Sequence, residues 1–193
     1  MVAHGRLVVL GGDNRRLHEE VIVAGGLIRQ GRFARMNVGE TKSALAAALP
    51  DEPSEAVQQR LAALWPSLKA PLFQSLETRM RERTTGLHKM LDERAAKEVA
   101  DMTAILKELE RSIRAELDIP GPLQLELWTP PEREQLARNR ESLRIRLEQI
   151  PAEIEQEAEA IRARYVDPTP RLFPVAITYL VPEKLAHEGG GRR

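Results

Sequence analysis

The chain has 193 residues, of which 42% are apolar and only 4% aromatic, and its 29 basic and 29 acidic residues give a formal net charge of zero. Neutrality argues against nucleic-acid binding through bulk charge, and the lack of cysteine excludes disulfides, thiolate metal sites and a cysteine nucleophile. No apolar run is long enough for a signal-peptide core or a membrane span, so a cytoplasmic protein without membrane contact is expected. A charged fraction of 30% is typical of long solvated helices.

The first segment, RLVVLGG, predicts a short strand that ends in a Gly-Gly turn. After this turn, Asp13 or Asn14 is placed to cap a helix. Leu17, Val21 and Ala24 follow at helical spacing until the pair Gly25 and Gly26 breaks the pattern. The next stretch, LIRQGRFARMNV, predicts irregular or weakly helical structure.

Two short helices are expected next. Asn37 and Glu40 stand three residues apart, which predicts a capping box at the start of a helix that Pro50 ends. Ser54 caps a second helix, which is expected to end before Pro66 because proline lacks the backbone donor of a helix interior.

From Leu68 onward the pattern changes, with Leu72, Leu76 and Met80 following at steps of four. In the second half of this helix the apolar steps alternate between three and four, which is the pattern of a coiled coil. The first seam contains Ala95, Val99, Met102, Leu106, Leu109, Ile113 and Leu117. A second helix is expected to begin at Pro131, with a seam of Leu136, Leu143, Leu147, Ile150, Ile154, Ala158, Ile161 and Tyr165 and a kink at Pro151. Together they predict an antiparallel hairpin in which Leu106, Leu109 and Ile113 contact Leu136, Leu143 and Leu147. An exposed Leu109 would instead indicate dimerisation.

The end of the chain predicts a strand, because Val175, Ile177, Tyr179 and Val181 alternate with smaller or polar residues. Its expected partner is the segment Leu7, Val8 and Val9, so that both ends of the chain meet in one sheet. The predicted fold class is α+β, mainly α. A small α/β base of residues 1–67 and 168–188 carries a hairpin of residues 68–167 with a tip loop at 118–131, and residues 189–193 form a flexible tail.

No pattern of catalytic, cofactor-binding or metal-binding residues is found, so no enzyme activity is expected. The GGDNRR turn lacks the length and the Lys-Ser or Lys-Thr of a phosphate loop. None of the histidines has a partner at metal-ligand spacing, and all are expected to face solvent: His4, His18, His88 and His187.

The stretch RQGRFARMN is the candidate for nucleic-acid binding. It places Arg29, Arg32 and Arg35 around Phe33, and arginine contacts phosphate while a ring can stack on a base. The alternative is that Phe33 packs in a small core and the arginines are solvated.

A second candidate lies in the tip loop, in the stretch LQLELW. Gln124, Leu125, Leu127 and Trp128 resemble the short peptide by which bacterial proteins dock in the sliding-clamp pocket. The alternative is that the leucines and the tryptophan fold back over the last seam layer and cap the open end of the hairpin.

Two longer runs, DNRRLHEEVIVAGGLIRQGRFARMNVGE and IRARYVDPTPRLFPVAITYLVPE, resemble the C-terminal region of bacterial Swi/Snf-type helicases, above all the large helicase of DISARM phage-defence systems. That family also has a long charged helical stretch between them, so the resemblance covers nearly the whole chain. A looser resemblance is to the C-terminal part of the RNA-polymerase-associated bacterial Swi/Snf ATPase. The family's motor residues have no counterpart in this sequence.

The resemblance implies a non-catalytic C-terminal accessory domain of a Swi/Snf-type ATP-dependent helicase, active in phage defence. Such a domain would present its coiled-coil arm to DNA or to partner proteins. The implied partners are helicase motor domains in cis, DNA and other defence-complex proteins, and the tip loop adds a sliding clamp. The alternative is a free-standing coiled-coil adaptor protein without a motor.

Overall fold

The computed structural model describes residues 1–119 and 129–186, which form two compact units. The base unit comprises residues 1–88 together with the chain from Pro168 onward, and the hairpin unit comprises Lys89–Asp167. The strands are β1 (Val2–Leu10), β2 (Arg16–Arg29), β3 (Arg32–Arg35) and β4 (Thr169–Thr178), and the helices are α1 (Val38–Ala46), α2 (Glu55–Asp118), α3 (Pro130–Tyr165) and α4 (Glu183–Ala186). Helix predominates beside one small antiparallel sheet, which confirms the predicted class, α+β and mainly α. The predicted tail, 189–193, lies outside the described residues.

The sheet has the strand order β3-β2-β1-β4, and every neighbouring pair is antiparallel. The prediction that the two ends of the chain pair in one sheet is therefore confirmed. The predicted register was wrong, because Leu7 lies opposite Leu172 and Val9 lies opposite Pro170. Tyr179 follows the end of β4 and is not part of the ladder.

Strand β4 is an edge strand that contains Pro170 and Pro174. The sequence prediction rested on the alternation that starts at Val175 and did not include these prolines. At an edge, however, a proline is tolerated where its nitrogen faces away from the neighbouring strand. A bulge near Val175 offsets the register of the second half of β4 from that of the first half.

The helix predicted after Asp13 or Asn14 is wrong, since residues 16–29 form strand β2. Asn14 has a φ of 60°, a left-handed conformation that suits asparagine in the turn between β1 and β2. The β-branched residues Val21, Ile22 and Val23 favour extended structure, and β2 pairs with β1 from Arg16 to Gly25. This pairing outweighs the helical spacing of the apolar residues.

A tight β-hairpin joins β2 to β3 where irregular structure was predicted. Gln30 and Gly31 have φ values of 50° and 74°, and a positive φ at both central residues is the signature of a two-residue type I′ turn. The ring of Phe33 then lies over Gly26, where an added Cβ would come within 2.1 Å of the ring. Gly26 therefore lies inside β2, where its lack of a side chain leaves room for the ring of Phe33, and the strand continues through it.

The two faces of the sheet have different neighbours. Leu76 of α2 packs against Gly5 and Leu172, so α2 covers the inner face. Thr41 of α1 packs on Gly25, which lies on the opposite face because it pairs with Val2. The predicted capping box of α1 is present, with reciprocal bonds of 2.8 Å between Asn37 and Glu40.

Helix α2 continues through Pro66 and Pro71, so the predicted stop before Pro66 is wrong. Each interior proline costs about 3 kcal/mol in a helix. Burial of Leu68, Leu72 and Leu76, all at most 1% exposed, contributes about 1.5–3 kcal/mol each and offsets that cost. The first part of α2 groups with the base unit because these leucines lie in its core.

The contact between Gly26 and Phe33 generates a stability prediction. Gly26→Ala is expected to lower the free energy of unfolding by about 1–3 kcal/mol, because the ring must move to admit a methyl group. Gly86→Ala is the matched control. It lies in helix α2 with open space around it, so it should raise stability by about 0.5–1 kcal/mol. Urea unfolding followed by circular dichroism measures both variants. Equal costs of Gly26→Ala in wild-type and Phe33→Ala backgrounds would contradict the proposed clash.

Candidate functional site

The hairpin unit brings the end of α2 and the length of α3 together in antiparallel orientation. The Tyr165 hydroxyl donates a 2.7 Å hydrogen bond to Glu98, and Arg140 donates a 2.5 Å bond to the carbonyl oxygen of Leu117. One bond joins the start of the α2 segment to the end of α3, and the other joins the end of α2 to the first half of α3. This crossing order confirms the antiparallel hairpin that the seam pattern predicted.

The seam residues are less exposed than their neighbours along both helices. Those that are buried are Ile113, Ile150, Ala158, Ile161 and Tyr165, and most of the remaining seam residues are half-buried. The two bonds define a register in which Ile113 is level with Leu147, as predicted. They place Leu106 level with Ile154, so the predicted contact of Leu106 with the 136–147 segment is shifted by about two turns.

Leu109 differs from the rest of the seam, because 38% of its surface is exposed. Leu109 is therefore not a fully buried seam residue. Ile105 lies one turn before it and is 70% exposed, and Ile145 on α3 is 49% exposed. Residues four apart lie on one face of a helix, so Ile105 and Leu109 form a short exposed apolar stripe.

A polar cluster joins the two helices where the hairpin unit begins. Glu98 accepts hydrogen bonds from Tyr165 and Arg164, and Arg94 lies 3.4 Å from the same carboxylate. Burial and the hydrogen bond to Glu98 raise the pKa of the Tyr165 hydroxyl, and the positive charges of Arg94 and Arg164 partly oppose this shift. These contacts therefore keep the Tyr165 hydroxyl protonated and fix the C-terminal end of α3 beside Glu98 of α2.

Arg140 provides hydrogen-bond donors for carbonyl oxygens at the C-terminal end of α2. Its guanidinium donates to the carbonyl oxygens of Leu117, at 2.5 Å, and Ile119, at 3.3 Å. The last carbonyls of a helix have no partner within the helix, and a basic side chain there also interacts favourably with the helix dipole. The tip-loop candidates Gln124, Leu125, Leu127 and Trp128 lie outside the described residues, so the choice between docking peptide and cap stays a prediction.

The structure separates the four residues of the nucleic-acid candidate. Arg29 and Arg32 face each other across the β2–β3 turn, and both are exposed. Phe33 packs over Gly26, and Arg35 forms a 2.8 Å ion pair with Glu82 of α2. Phe33 and Arg35 therefore contribute to the packing of the base unit, while Arg29 and Arg32 remain available to a ligand.

The histidines are distributed differently from the prediction. His88 is exposed, as expected, but His4 and His18 lie in strands and are half-buried, and His187 lies outside the described part of the chain. Pairing within the sheet therefore partly buries His4 and His18, which were expected to face solvent. In residues 1–119 and 129–186, no three histidine, aspartate or glutamate side chains are grouped as metal ligands would be. Nor does any helix in these ranges have both the length and the apolarity to cross a membrane.

A surface that the sequence did not reveal lies on the sheet face opposite α2. Cross-strand pairing places Val21, Arg6 and Phe173 in one row across β2, β1 and β4. The adjacent row contains Glu19 and Arg171 on either side of Val8. We call these five outward-facing residues the outer sheet face: Arg6, Glu19, Val21, Arg171 and Phe173. Only the strand register brings them together. The apolar spacing of Leu17, Val21 and Ala24 predicts a helix, so this surface could not be recognised from the sequence.

The Tyr165–Glu98 bond predicts a stability change with a defined pH dependence. Tyr165→Phe is expected to lower the free energy of unfolding by about 1.5–3 kcal/mol, the value of a hydrogen bond to a charged group. Because the folded pKa of Tyr165 is raised above 10.0, its contribution is complete below the unfolded pKa and is lost as the pH rises through the folded pKa. Wild-type stability should therefore fall in alkali, and less so in the variant.

Tyr179→Phe is the matched control for this experiment. Burial alone raises the pKa of Tyr179, and its hydroxyl has no hydrogen-bond partner within the described residues. This substitution should reduce the alkaline loss without the cost at neutral pH. Denaturant titrations at neutral pH and near pH 11 measure both effects. A Tyr165→Phe protein as stable as wild type at neutral pH would contradict the role assigned to the bond.

Comparisons with known proteins give no relative from which a function could be transferred. No family model matches the chain, and neither a curated protein nor a solved structure matches it significantly. Functional inference therefore depends on the surfaces just described: the exposed stripe on the hairpin unit, the arginine pair at the β2–β3 turn and the outer sheet face.

Proposed function

We propose that this chain is a non-catalytic accessory domain of a Swi/Snf-type ATP-dependent helicase involved in phage defence, and that its hairpin unit contacts partner proteins. The resemblance of the runs 13–40 and 161–183 to the C-terminal region of such helicases supports the assignment of the parent class. The antiparallel hairpin, inserted between two segments of one base unit, supports a role as a binding module.

The observation that carries the proposal is the exposed apolar stripe on the hairpin unit. Ile105 is 70% exposed and Leu109, one turn further on, is 38% exposed. Around them the helix surface is covered by ion pairs, such as Lys97 with Asp101 at 2.7 Å. Two adjacent apolar side chains on a charged helix give a partner a place to bury surface, which is how a partner helix is recognised.

The same stripe would serve the alternative, a free-standing coiled-coil adaptor without a motor. The Leu109 exposure also fits pairing of two copies through this face. These alternatives differ in what the stripe binds. An experiment therefore has to measure both the binding of this chain to the motor and the oligomeric state of this chain.

The arginine pair at the β2–β3 turn is the proposed contact to duplex DNA. Arg29→Ala combined with Arg32→Ala is expected to weaken binding and to lower the slope of log affinity against log salt by about 1.8, since each phosphate contact contributes about 0.9. Replacement of both residues by lysine keeps the charge and should preserve the slope. Anisotropy titrations over a range of salt concentrations measure it. Identical slopes for the alanine variant and wild type would remove this contact from the proposal.

The stripe is tested with Ile105→Asp in a mixture of this chain and a Swi/Snf-type motor from the same genome. If the stripe binds the motor, the substitution should abolish co-elution and the effect of this chain on DNA-stimulated ATP hydrolysis. Ala104→Asp, a neighbouring exposed position, is the matched control. Wild-type co-elution of the Ile105→Asp protein would contradict the proposal. A motor that never binds, together with a dimer that Ile105→Asp dissociates, would favour the adaptor.

A further inference from the structure

The outer sheet face combines an exposed ring with exposed apolar neighbours. Phe173 is 53% exposed and Val21, two strands away in the same row, is 67% exposed. Val175, at the bulge beside them, is 64% exposed. The core residues of the base unit are buried, so the exposed apolar side chains of Val21 and Phe173 form a distinct patch in one row of the sheet.

The charges on this face are unbalanced although the chain as a whole is neutral. Glu19 is bonded both to Arg6, at 2.5 Å, and to Arg16. Arg171 is exposed and, among residues 1–119 and 129–186, has no carboxylate partner. Two guanidinium groups, those of Arg6 and Arg16, therefore share the carboxylate of Glu19, and Arg171 adds a third positive charge beside them. The face carries a surplus of two positive charges around the ring.

We propose that the outer sheet face binds single-stranded nucleic acid, with Phe173 stacking on a base and with Arg171 and Arg6 contacting phosphates. Arg6 lies directly opposite Phe173 on the neighbouring strand, and Arg171 is two residues before it on the same strand. The backbone positions of Arg6 and Arg171 are therefore about 5–7 Å from that of Phe173. This spacing allows one nucleotide to contact the ring and a cation together.

The exposed ring of Phe173 favours a single-stranded nucleic acid over a duplex as the ligand. A base stacks on an aromatic side chain only when it has left the base stack of its own helix, as the bases of a single strand can. An acidic protein partner would pair with the arginines but would gain nothing specific from the π-face of Phe173. The inference is independent of the proposed function, because none of its residues belongs to the hairpin unit or to the β2–β3 turn.

The experiment uses the full chain and fluorescently labelled oligo-dT and oligo-rU of about 20 nucleotides, longer than a site of roughly 4–16. The two probes distinguish DNA from RNA as the source of the single strand, and an unlabelled duplex serves as competitor. Phe173→Leu keeps an apolar side chain but removes the ring, and it should weaken binding about five-fold or more. Phe173→Trp retains a stacking surface and should bind at least as tightly as wild type.

The charge is tested in the same titrations. Arg171→Gln should lower the slope of log affinity against log salt by about 0.7, the value for one phosphate contact of a single strand. Arg81→Gln removes an equal charge from an exposed position on α2 and should leave affinity and slope unchanged. Far-ultraviolet circular dichroism confirms that each variant is folded. Because Phe173 lies on an edge strand and is half exposed, its replacement leaves the core between α2 and the sheet intact.

Four results would overturn the proposal. Unchanged affinity of Phe173→Leu for both probes would show that no base stacks on this ring. Displacement by duplex as effective as by single strand would show that charge alone holds the probe. Failure of both probes to bind at low salt would assign the patch to a protein partner. Loss of single-strand binding in the Arg29→Ala, Arg32→Ala protein but not in Phe173→Leu would assign it to the β2–β3 turn.

Discussion

The pairing of β1 with β4 is the contact on which the base unit depends, because it joins residues from opposite ends of the described chain. Without β4, strand β1 would lose the backbone partners on one side, and the fully buried Leu7 and Val9 would lose their cross-strand neighbours Leu172 and Pro170. Closing so long a loop costs only slightly more entropy than closing a short one, since the cost grows with the logarithm of length. The pairing then fixes both Leu172 against Leu76 and the row that contains Arg6 and Phe173.

Local signals predicted the elements whose stability is local. The capping box at Asn37 and Glu40 and the two-helix seam follow from spacings of three and four residues, and the structure contains both. The strand β2 was missed because Leu17, Val21 and Ala24 fit a helical period as well as a strand. The decision between them comes from pairing with β1, which no local spacing encodes. Pro66 was likewise interpreted without the buried leucines that follow it.

The candidate site shows the same limit. Arg29 and Arg32 were found from sequence because they are close neighbours in the chain, and the tight turn keeps them adjacent. Phe33 and Arg35 share that stretch, yet packing on Gly26 and pairing with Glu82 use both within the base unit. The outer sheet face unites residues from three strands, and its composition becomes visible only when the register is known. A correct strand prediction for β2 would have been the first step toward it.

The prolines of β4 have a consequence for assembly. An exposed edge strand offers unpaired backbone donors and acceptors to any extended chain, and such edges nucleate aggregation between sheets. Pro170 and Pro174 remove two donors from the ten-residue edge, and the opposite edge, β3, is only four residues long. Another copy of the sheet therefore finds no continuous ladder to extend along β4. The base unit can therefore expose apolar side chains on its sheet while the backbone of β4 beside them resists fibre formation.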